Sequence, residues 1–246
     1  MKYLYIWLLI PIFCIPLVQA EIIYDEARDR GIPVKISYPI NEQDCTIESK
    51  CAVAFLSAGY GVAHTQYSFL EEQLRELGYM VVSVAHELPQ DPPLSVTGNL
   101  YETRRENWVR GAKTLAFLKS QFQSRYSNYA FNELLLIGHS NGGDISSWLG
   151  NEKKPYIKSI ITLDHRRVPL PRNTDINIFS IRASDFAADE GVLPTKTVQS
   201  DICIVQIPDA RHNDLSDHGP RWLQDKIKQL VHGYLVGQSC AMLNKA

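Results

Sequence analysis

A serine lies at the centre of a glycine-bounded turn in the middle of the 246-residue chain. The pentapeptide Gly138-His139-Ser140-Asn141-Gly142 follows an apolar run, residues 134–137, and precedes residues 143–149, which can form a short helix. This order of strand, turn and helix is that of a nucleophile elbow, in which glycines permit a sharp turn that lifts the serine hydroxyl above the sheet edge. The sequence therefore predicts that Ser140 is the nucleophile of an acyl-transfer reaction.

Serine chemistry requires a base, because a serine hydroxyl is a poor nucleophile at neutral pH until a neighbouring group takes its proton. His212 lies in the loop after the last apolar run, in the chain order serine, acid, histidine. We predict that His212 is the base, and His218, near the start of the last predicted helix, is its nearest competitor. The other histidines, His139 among them, are interpreted as surface or packing residues.

A carboxylate must orient the imidazole of the base, and two aspartates compete for this role. Asp185 lies just beyond one apolar run, and Asp164 closes the run before it. Either strand end can point at the same histidine, and Asp185 is favoured, with Asp164 as the alternative acid. The non-catalytic interpretations are an ion pair of Asp164 with Arg166 or Arg167 and a loop cap by Asp185.

Acyl transfer also needs two N–H donors that face the developing oxyanion. The first expected donor is the backbone N–H of Asn141, the residue after the nucleophile. The second should lie in the glycine-containing loop of residues 57–61, where we predict the backbone N–H of Tyr60. The alternative is that the glycines of this loop only shape a turn.

The apolar pattern along the chain indicates buried strands that alternate with helices. Residues 34–39 alternate like an early edge strand, whereas other runs are continuously apolar, as expected of strands covered on both faces. The continuous runs are residues 52–56, 80–84, 134–137, 159–163, 176–181 and 202–207. Helical spacing is found around residues 67–77, 108–116 and 222–234. The predicted fold class is α/β, a mostly parallel central sheet with helices on both faces.

The first twenty residues have the composition of a secretory signal peptide that is cleaved after Ala20. An uncleaved membrane anchor is the alternative, although Pro11 and Pro16 interrupt the apolar run. Lys2 is the only charged residue of this leader, so its removal changes the formal net charge from −2 to −3. We expect residues 21–246 to form a single domain that is secreted or periplasmic, without stable membrane insertion.

Four cysteines follow the leader: Cys45, Cys51, Cys203 and Cys240. An even number in an exported chain permits two disulfides, with three possible connectivities, and the alternative is four thiols. Cys45 and Cys51 bracket a short polar loop, and Cys203 with Cys240 would then link the last strand to the C-terminal helix. None of the pairs has the spacing of a zinc site.

Other partners and cofactors have little support in the sequence. The chain has no basic block with interleaved aromatic residues, so we expect no nucleic-acid partner. It has no H-E-x-x-H, Walker or dinucleotide motif, so we expect neither a metal nor a nucleotide cofactor. Arg104, Arg105 and Arg110 could clamp a substrate carboxylate, but solvated helix charges are the favoured interpretation. The sequence does not indicate an oligomeric state.

Taken in chain order, the Gly59-Tyr60-Gly61 loop, the Gly138–Gly142 pentapeptide, Asp185 and His212 resemble the α/β-hydrolase superfamily. The resemblance implies a sheet of the eight-strand type and hydrolysis of esters or related acyl groups. Residues 161–164, with Pro169-Leu170 after them, resemble platelet-activating-factor acetylhydrolases, whose acid follows this earlier strand. The compact layout also resembles cutinase-like and dienelactone-hydrolase-like members, whose acid follows the later strand.

The segment of residues 164–175 is too short to form a cap domain, so we predict an open site. Residues 86–94 can form part of its rim. An open site favours short-acyl esters or an accessible polymeric ester as substrate. The alternatives are a serine peptidase, thioesterase or acyltransferase with the same triad, and a non-catalytic binding protein on a hydrolase scaffold.

Overall fold

The computed structural model describes residues 18–172, 174–194 and 202–245, with side chains described from residue 21 onward. The strands in this part of the chain are β1 (Val18–Asp25), β2 (Arg30–Ser37), β3 (Ala52–Ser57), β4 (Tyr79–Val84), β5 (Leu134–His139), β6 (Ile157–Leu163), β7 (Asn177–Arg182) and β8 (Cys203–Gln206). The helices are α1 (Ser68–Glu76), α2 (Leu100–Arg125), α3 (Asn141–Asn151), α4 (Arg221–Leu235) and α5 (Cys240–Leu243). Short 3-10 helices lie at Glu26–Arg28, Glu42–Asp44 and His212–Asp214.

The strands form one sheet in the order β1-β2-β4-β3-β5-β6-β7-β8. Strand β2 pairs antiparallel with β1 and β4, and all pairs from β4 to β8 are parallel. The predicted mostly parallel sheet is thereby confirmed. Because parallel strands end at the same edge, the loops after β3 to β8 meet at one edge of the sheet, where ligands of open α/β sheets bind.

The edge strand was predicted wrongly. Residues 34–39 were expected at the edge, but β2 is covered by β1, which pairs along its full length from Val18 with Ser37 to Asp25 with Arg30. Strand β1 begins inside the predicted leader. Its first residues continue the apolar run of the leader, so the sequence shows no separate strand pattern there. Residues 1–17 of that leader lie outside the described residues, so its cleavage stays a prediction.

Helices cover both faces of the sheet, as predicted. Leu134 and Leu136 of β5 pack with side chains of α2 and α3, whereas Leu135 and Ile137 pack with side chains of α1 and α4. The first layer of helix side chains includes Trp108, Leu115, Ile145 and Leu149, and the second includes Leu70, Leu74, Leu223 and Ile227. Burial of alternate residues in opposite layers explains why the central strands are continuously apolar.

The connection from β6 to β7 contains no helix or strand among its described residues, as expected for a site without a cap domain. In the same part of the chain, no helix combines the length and the apolar character that crossing a bilayer would require.

Both expected disulfides are present. Cys45 and Cys51 are joined with an S–S distance of 2.01 Å, and Cys203 and Cys240 with 2.12 Å. The second bond joins β8 to α5 and therefore fixes the last strand to the C-terminal segment.

The two disulfides should contribute unequally to stability. The two bonded cysteines are 37 residues apart in Cys203–Cys240 and 6 residues apart in Cys45–Cys51. Loop-closure entropy of the unfolded chain predicts losses of about 4 and about 2 kcal/mol, respectively, when each pair is replaced by serine. Urea denaturation of the two double variants, compared with the oxidised parent, measures both losses. A larger loss for the Cys45–Cys51 pair would contradict the prediction.

Candidate active site

The turn that carries Ser140 is strained backbone at the end of the central strand. Ser140 has φ 50° and ψ −118°, values that residues with a side chain rarely adopt. Its N–H donates to the carbonyl oxygen of Leu163 at 2.8 Å, which ties the turn to the end of β6. The turn leads directly into α3, so the side chain of Ser140 stands at the carboxyl edge of the sheet.

Glycine is sterically required on both sides of the serine. A Cβ atom at Gly138 would lie 2.2 Å from the carbonyl oxygen of Gly142. A Cβ atom at Gly142 would lie 2.2 Å from the carbonyl oxygen of Ser57. Because both obstacles are backbone atoms, no side-chain movement can relieve them. The glycine pattern of the sequence thus reflects close packing of the turn against itself and against β3.

The imidazole of His212 lies between Ser140 and an aspartate. Ser140 Oγ is 2.9 Å from His212 Nε2, and Asp164 Oδ2 is 2.5 Å from His212 Nδ1. An ionised carboxylate can only accept, so Nδ1 carries the hydrogen and Nε2 is free to accept the hydroxyl hydrogen of Ser140. The structure therefore brings the predicted nucleophile and base together, and His212 rather than its competitor His218 makes the contact.

Asp164 is fully buried and surrounded by donors. Besides His212, its oxygens accept hydrogen bonds from Arg166 at 3.0 Å and from the N–H of Ala183 at 3.2 Å, and the Arg182 guanidinium forms an ion pair with it at 2.8 Å. Burial acts to raise the pKa of Asp164, but the hydrogen bond from His212 and the two guanidinium groups outweigh it and hold this pKa below its ordinary value. Asp164 is therefore ionised at neutral pH, as the hydrogen placement on His212 requires.

The preference for Asp185 as the partner of the imidazole is contradicted by the structure. Asp185 is exposed, and both of its carboxylate oxygens accept from the backbone N–H of His212 at 3.0 Å. After β7 the chain pairs with the loop after β8 that carries the predicted base His212, which we call the base loop. Here the Ser184 N–H donates to the Ala210 carbonyl oxygen at 2.9 Å. This pairing leaves Asp185 on the outer side of the loop, where it caps the 3-10 helix His212–Asp214.

The predicted oxyanion donors lie in the two segments that border Ser140. Asn141 is the first residue of α3, so its N–H has no partner within the helix. The loop after β3 runs against the nucleophile, since a Cβ at Gly59 would lie 3.4 Å from Ser140 Cβ. Tyr60 follows Gly59, and its hydroxyl accepts from the N–H of Leu94 at 3.1 Å, which fixes this loop to the rim of residues 86–94. The role of the Asn141 and Tyr60 N–H groups as oxyanion donors remains a proposal.

The side chain of Asn141 belongs to a buried polar cluster that the sequence analysis missed. Asn141 Oδ1 accepts from Trp108 Nε1 at 2.9 Å, and Nδ2 donates to Asn107 at 2.8 Å and to Glu87 at 3.0 Å. Burial raises the pKa of Glu87 above its ordinary value. The available signal was an ionisable residue, Glu87, just after β4 at the carboxyl edge of the sheet. The cluster fixes the first turn of α3 relative to α2 and the rim.

The three arginines considered as a carboxylate clamp point to different partners. Arg104 donates to the carbonyl oxygen of Ser95 at 2.7 Å. Arg105 lies over the ring of Trp148, 5.7 Å from its centroid. Arg110 pairs with Glu106 and, at 3.5 Å, with Asp91. They form no joint clamp.

The interpretation of His139 as a surface or packing residue was incomplete. His139 is only 3% exposed, and both of its ring nitrogens are hydrogen-bonded, to Tyr67 and to the main chain of His212. Its position next to the nucleophile in the sequence was the signal that could have identified it.

Comparison with known proteins supports the fold. No family model matches the chain, and no curated protein matches it at a significant level. Among solved structures, a dienelactone hydrolase from Anabaena variabilis is 12% identical, with a TM-score of 0.59 over 90% of this chain and 99% of that one. Thermogutta terrifontis esterase 2 phosphonylated by cyclosarin is 10% identical, with a TM-score of 0.63 over 90% and 93%. An α/β serine hydrolase homologue from Coxiella burnetii is 14% identical, with a TM-score of 0.55 over 88% and 97%. The chain thus has the α/β-hydrolase fold.

Asp144 holds the segment that follows Asp164. Its Oδ1 atom accepts from the N–H groups of Arg167 and Val168, both at 2.9 Å. Burial raises the pKa of Asp144 from its ordinary value to about 6. The folded protein therefore retains the Asp144 proton at pH values where the unfolded chain has already lost it.

Asp144 should make the folded state less stable as the pH rises from about 4 to about 6. In this range the folded state binds more protons than the unfolded state, so stability falls with rising pH, by an amount on the order of 3 kcal/mol. An Asp144→Asn variant has no titrating group there and should lack this component. Urea denaturation of parent and variant at pH 4, 5, 6 and 7 gives the difference in unfolding free energy. Parallel curves would show that Asp144 titrates normally.

Proposed function

We propose that this chain is an exported serine hydrolase that cleaves carboxylic esters through an acyl-enzyme. Ser140 is the proposed nucleophile, His212 the base and Asp164 the acid. The observation that carries the proposal is the 2.9 Å contact between Ser140 Oγ and His212 Nε2, because it gives the hydroxyl a base. Asp164 on the other ring nitrogen supports it, since the carboxylate stabilises the imidazolium that forms when His212 takes the proton.

The reaction proceeds in two halves. Ser140 Oγ attacks the ester carbonyl carbon while its proton passes to His212 Nε2, and the N–H groups of Asn141 and Tyr60 stabilise the negative charge on the carbonyl oxygen. His212 then protonates the leaving alcohol as its C–O bond breaks, and the acyl group stays on Ser140. A water molecule next gives a proton to His212 and attacks the acyl carbon. His212 then returns the proton to Ser140 Oγ as the bond between Oγ and the acyl carbon breaks, which releases the carboxylic acid and restores Ser140.

The fold is consistent with this chemistry. Structures of the same fold include an esterase and a dienelactone hydrolase, and each aligns over about nine-tenths of this chain. Because the identities are only 10% and 12%, the proposal depends on the geometry of Ser140, His212 and Asp164 rather than on the likeness.

The proposed substrates are short-acyl esters or ester bonds on an accessible polymer. Ser140 keeps intermediate exposure, and the described residues between β6 and β7 form no helix that could cover it. A lipase that acts on long-chain lipid would instead need a large apolar surface beneath a movable lid.

Export is proposed from the leader-like first twenty residues and from the two disulfides. Disulfides persist in oxidising compartments and are rare in the reducing cytosol. These observations favour a periplasmic or extracellular location.

Hydrolysis of p-nitrophenyl esters from acetate to palmitate tests the activity and the acid together. Turnover should be fastest on the short chains and absent in a Ser140→Ala variant. An Asp164→Asn variant should lose about 10³-fold to 10⁴-fold in kcat, because the amide favours the wrong imidazole tautomer. An Asp185→Asn variant should lose about 10-fold at most, because its amide oxygen can still accept the backbone N–H of His212.

A fluorophosphonate probe provides the control that does not depend on the choice of ester. It should label the parent at Ser140 and leave the Ser140→Ala variant unlabelled, while circular dichroism confirms that all variants are folded. If the parent hydrolyses no ester and remains unlabelled, the chain is a binding scaffold and the proposed function is wrong. A stronger loss in Asp185→Asn than in Asp164→Asn would reverse the assignment of the acid.

A further inference from the structure

His139 connects three parts of the site that are far apart in sequence. Its Nδ1 atom lies 2.8 Å from the hydroxyl oxygen of Tyr67, and its Nε2 atom lies 3.0 Å from the carbonyl oxygen of His212. The Tyr67 hydroxyl in turn accepts from the N–H of Gly59 at 2.9 Å. The loop after β3, the end of β5 and the base loop are therefore joined through one imidazole.

The direction of each hydrogen bond in this chain is determined by its two ends. The Gly59 N–H can only donate, so the Tyr67 hydroxyl oxygen accepts from it and the hydroxyl hydrogen remains free to point at His139 Nδ1. The His212 carbonyl oxygen can only accept, so His139 Nε2 carries the ring hydrogen. A neutral imidazole with this tautomer accepts the Tyr67 hydrogen at Nδ1, whereas an imidazolium would donate from Nδ1 and the Tyr67 hydrogen would lose this acceptor.

The surroundings keep His139 neutral. Burial and the nearby His212 imidazole lower the pKa of His139 to about 3. The two imidazole rings are 5.0 Å apart, so a charge on His139 would oppose proton uptake by His212. His139 is therefore unsuited to proton transfer near neutral pH and suited to a fixed hydrogen-bonding role.

The main chain of His212 is held from two sides. Its N–H donates to Asp185, and its carbonyl oxygen accepts from His139. The other contact of this carbonyl oxygen is a 3.4 Å bond from the Leu215 N–H inside the same loop, which cannot fix the loop to the sheet. In contrast, His139 is the last residue of β5 and directly precedes Ser140.

We propose that His139 is a positioning residue, which sets the distance between the base and the nucleophile by holding the His212 main chain from the end of β5. This role depends on the proposed function of Ser140 and His212. Through Tyr67, the same imidazole also fixes Gly59 beside Ser140. An apolar side chain of similar size would fill the space but would supply neither hydrogen bond.

Two amide substitutions test the hydrogen bonds of the two imidazole nitrogens separately. In a His139→Gln variant the side-chain N–H can reach the position of Nε2 and still donate to the His212 carbonyl oxygen. In a His139→Asn variant the shorter amide can accept from Tyr67 but cannot reach His212. A displacement of a catalytic group by about 1 Å costs on the order of 100-fold in rate. His139→Asn should thus lower kcat about 100-fold with KM nearly unchanged, and His139→Gln should recover at least 10-fold of that loss.

The measurements are kcat and KM on p-nitrophenyl acetate, the second-order rate of fluorophosphonate labelling, and the melting temperature of each variant. The matched control is His232→Asn, which makes the same change on the exposed side of α4 and should leave all of them at the parent values. Tyr67→Phe keeps the His139 imidazole and its bond to His212, so it should lower kcat less than His139→Asn does. If His139→Asn fails to fold, Tyr67→Phe is compared with the parent, and a loss of about 100-fold in kcat would contradict the proposal.

The outcomes distinguish this proposal from the proposed function. If the parent is active and His139→Asn keeps the parent kcat, His139 is only a packing residue. The same conclusion follows if the Asn and Gln variants lose the same kcat and this loss follows the fall in their melting temperatures. If Tyr67→Phe loses as much kcat as His139→Asn, the link to Gly59 rather than to the base is the functional one. A parent that neither turns over ester nor labels at Ser140 refutes the proposed function and this role with it.

Discussion

The buried negative charge of Asp164 is the constraint on which the carboxyl edge of the sheet depends. An ionised carboxylate without water contact is costly unless hydrogen-bond donors surround it. Here the donors come from three segments: the loop after β6, the end of β7 and the loop after β8. The hydrogen-bond donors are Arg166, Ala183 and His212, and the Arg182 guanidinium adds an ion pair. Because one charge requires all of them, its compensation sets the relative positions of these segments and, through His212, of the imidazole.

The strained serine turn is joined to this charge by the backbone. The Ser140 N–H donates to the carbonyl oxygen of Leu163, which directly precedes Asp164, and the Asp164 N–H donates to the carbonyl oxygen of Ile181, which directly precedes Arg182. Three neighbouring strand ends are thus linked in one ladder of 2.8 Å bonds. The unfavourable φ of Ser140 is sustained because the rigid ladder and the steric requirement for Gly138 and Gly142 leave the turn no other path.

Local sequence patterns predict much of this fold, but they do not identify which aspartate contacts His212. Continuous apolar runs identified the central strands because both faces are covered, and the glycine spacing identified Ser140 because the turn excludes any Cβ. Asp185 was wrongly favoured over Asp164, because β6 and β7 are neighbours whose ends lie at one edge, about 5 Å apart, and nothing local separates the two aspartates. The choice depends on pairing between residues 184 and 210, a long-range contact that no local pattern records. The β1 strand was missed for a similar reason, because it is recognised only by its partner β2.

The bond between Cys203 and Cys240 encloses the whole base loop and α4 in a covalent ring. A protease that cuts one peptide bond inside this ring does not release the segment that contains His212, because both pieces remain attached through sulfur. The nicked protein therefore keeps its parts at high effective concentration, and the segment can return to its place on the sheet. For a protein with the proposed export, such a ring would limit the loss of the His212 segment after a single cleavage.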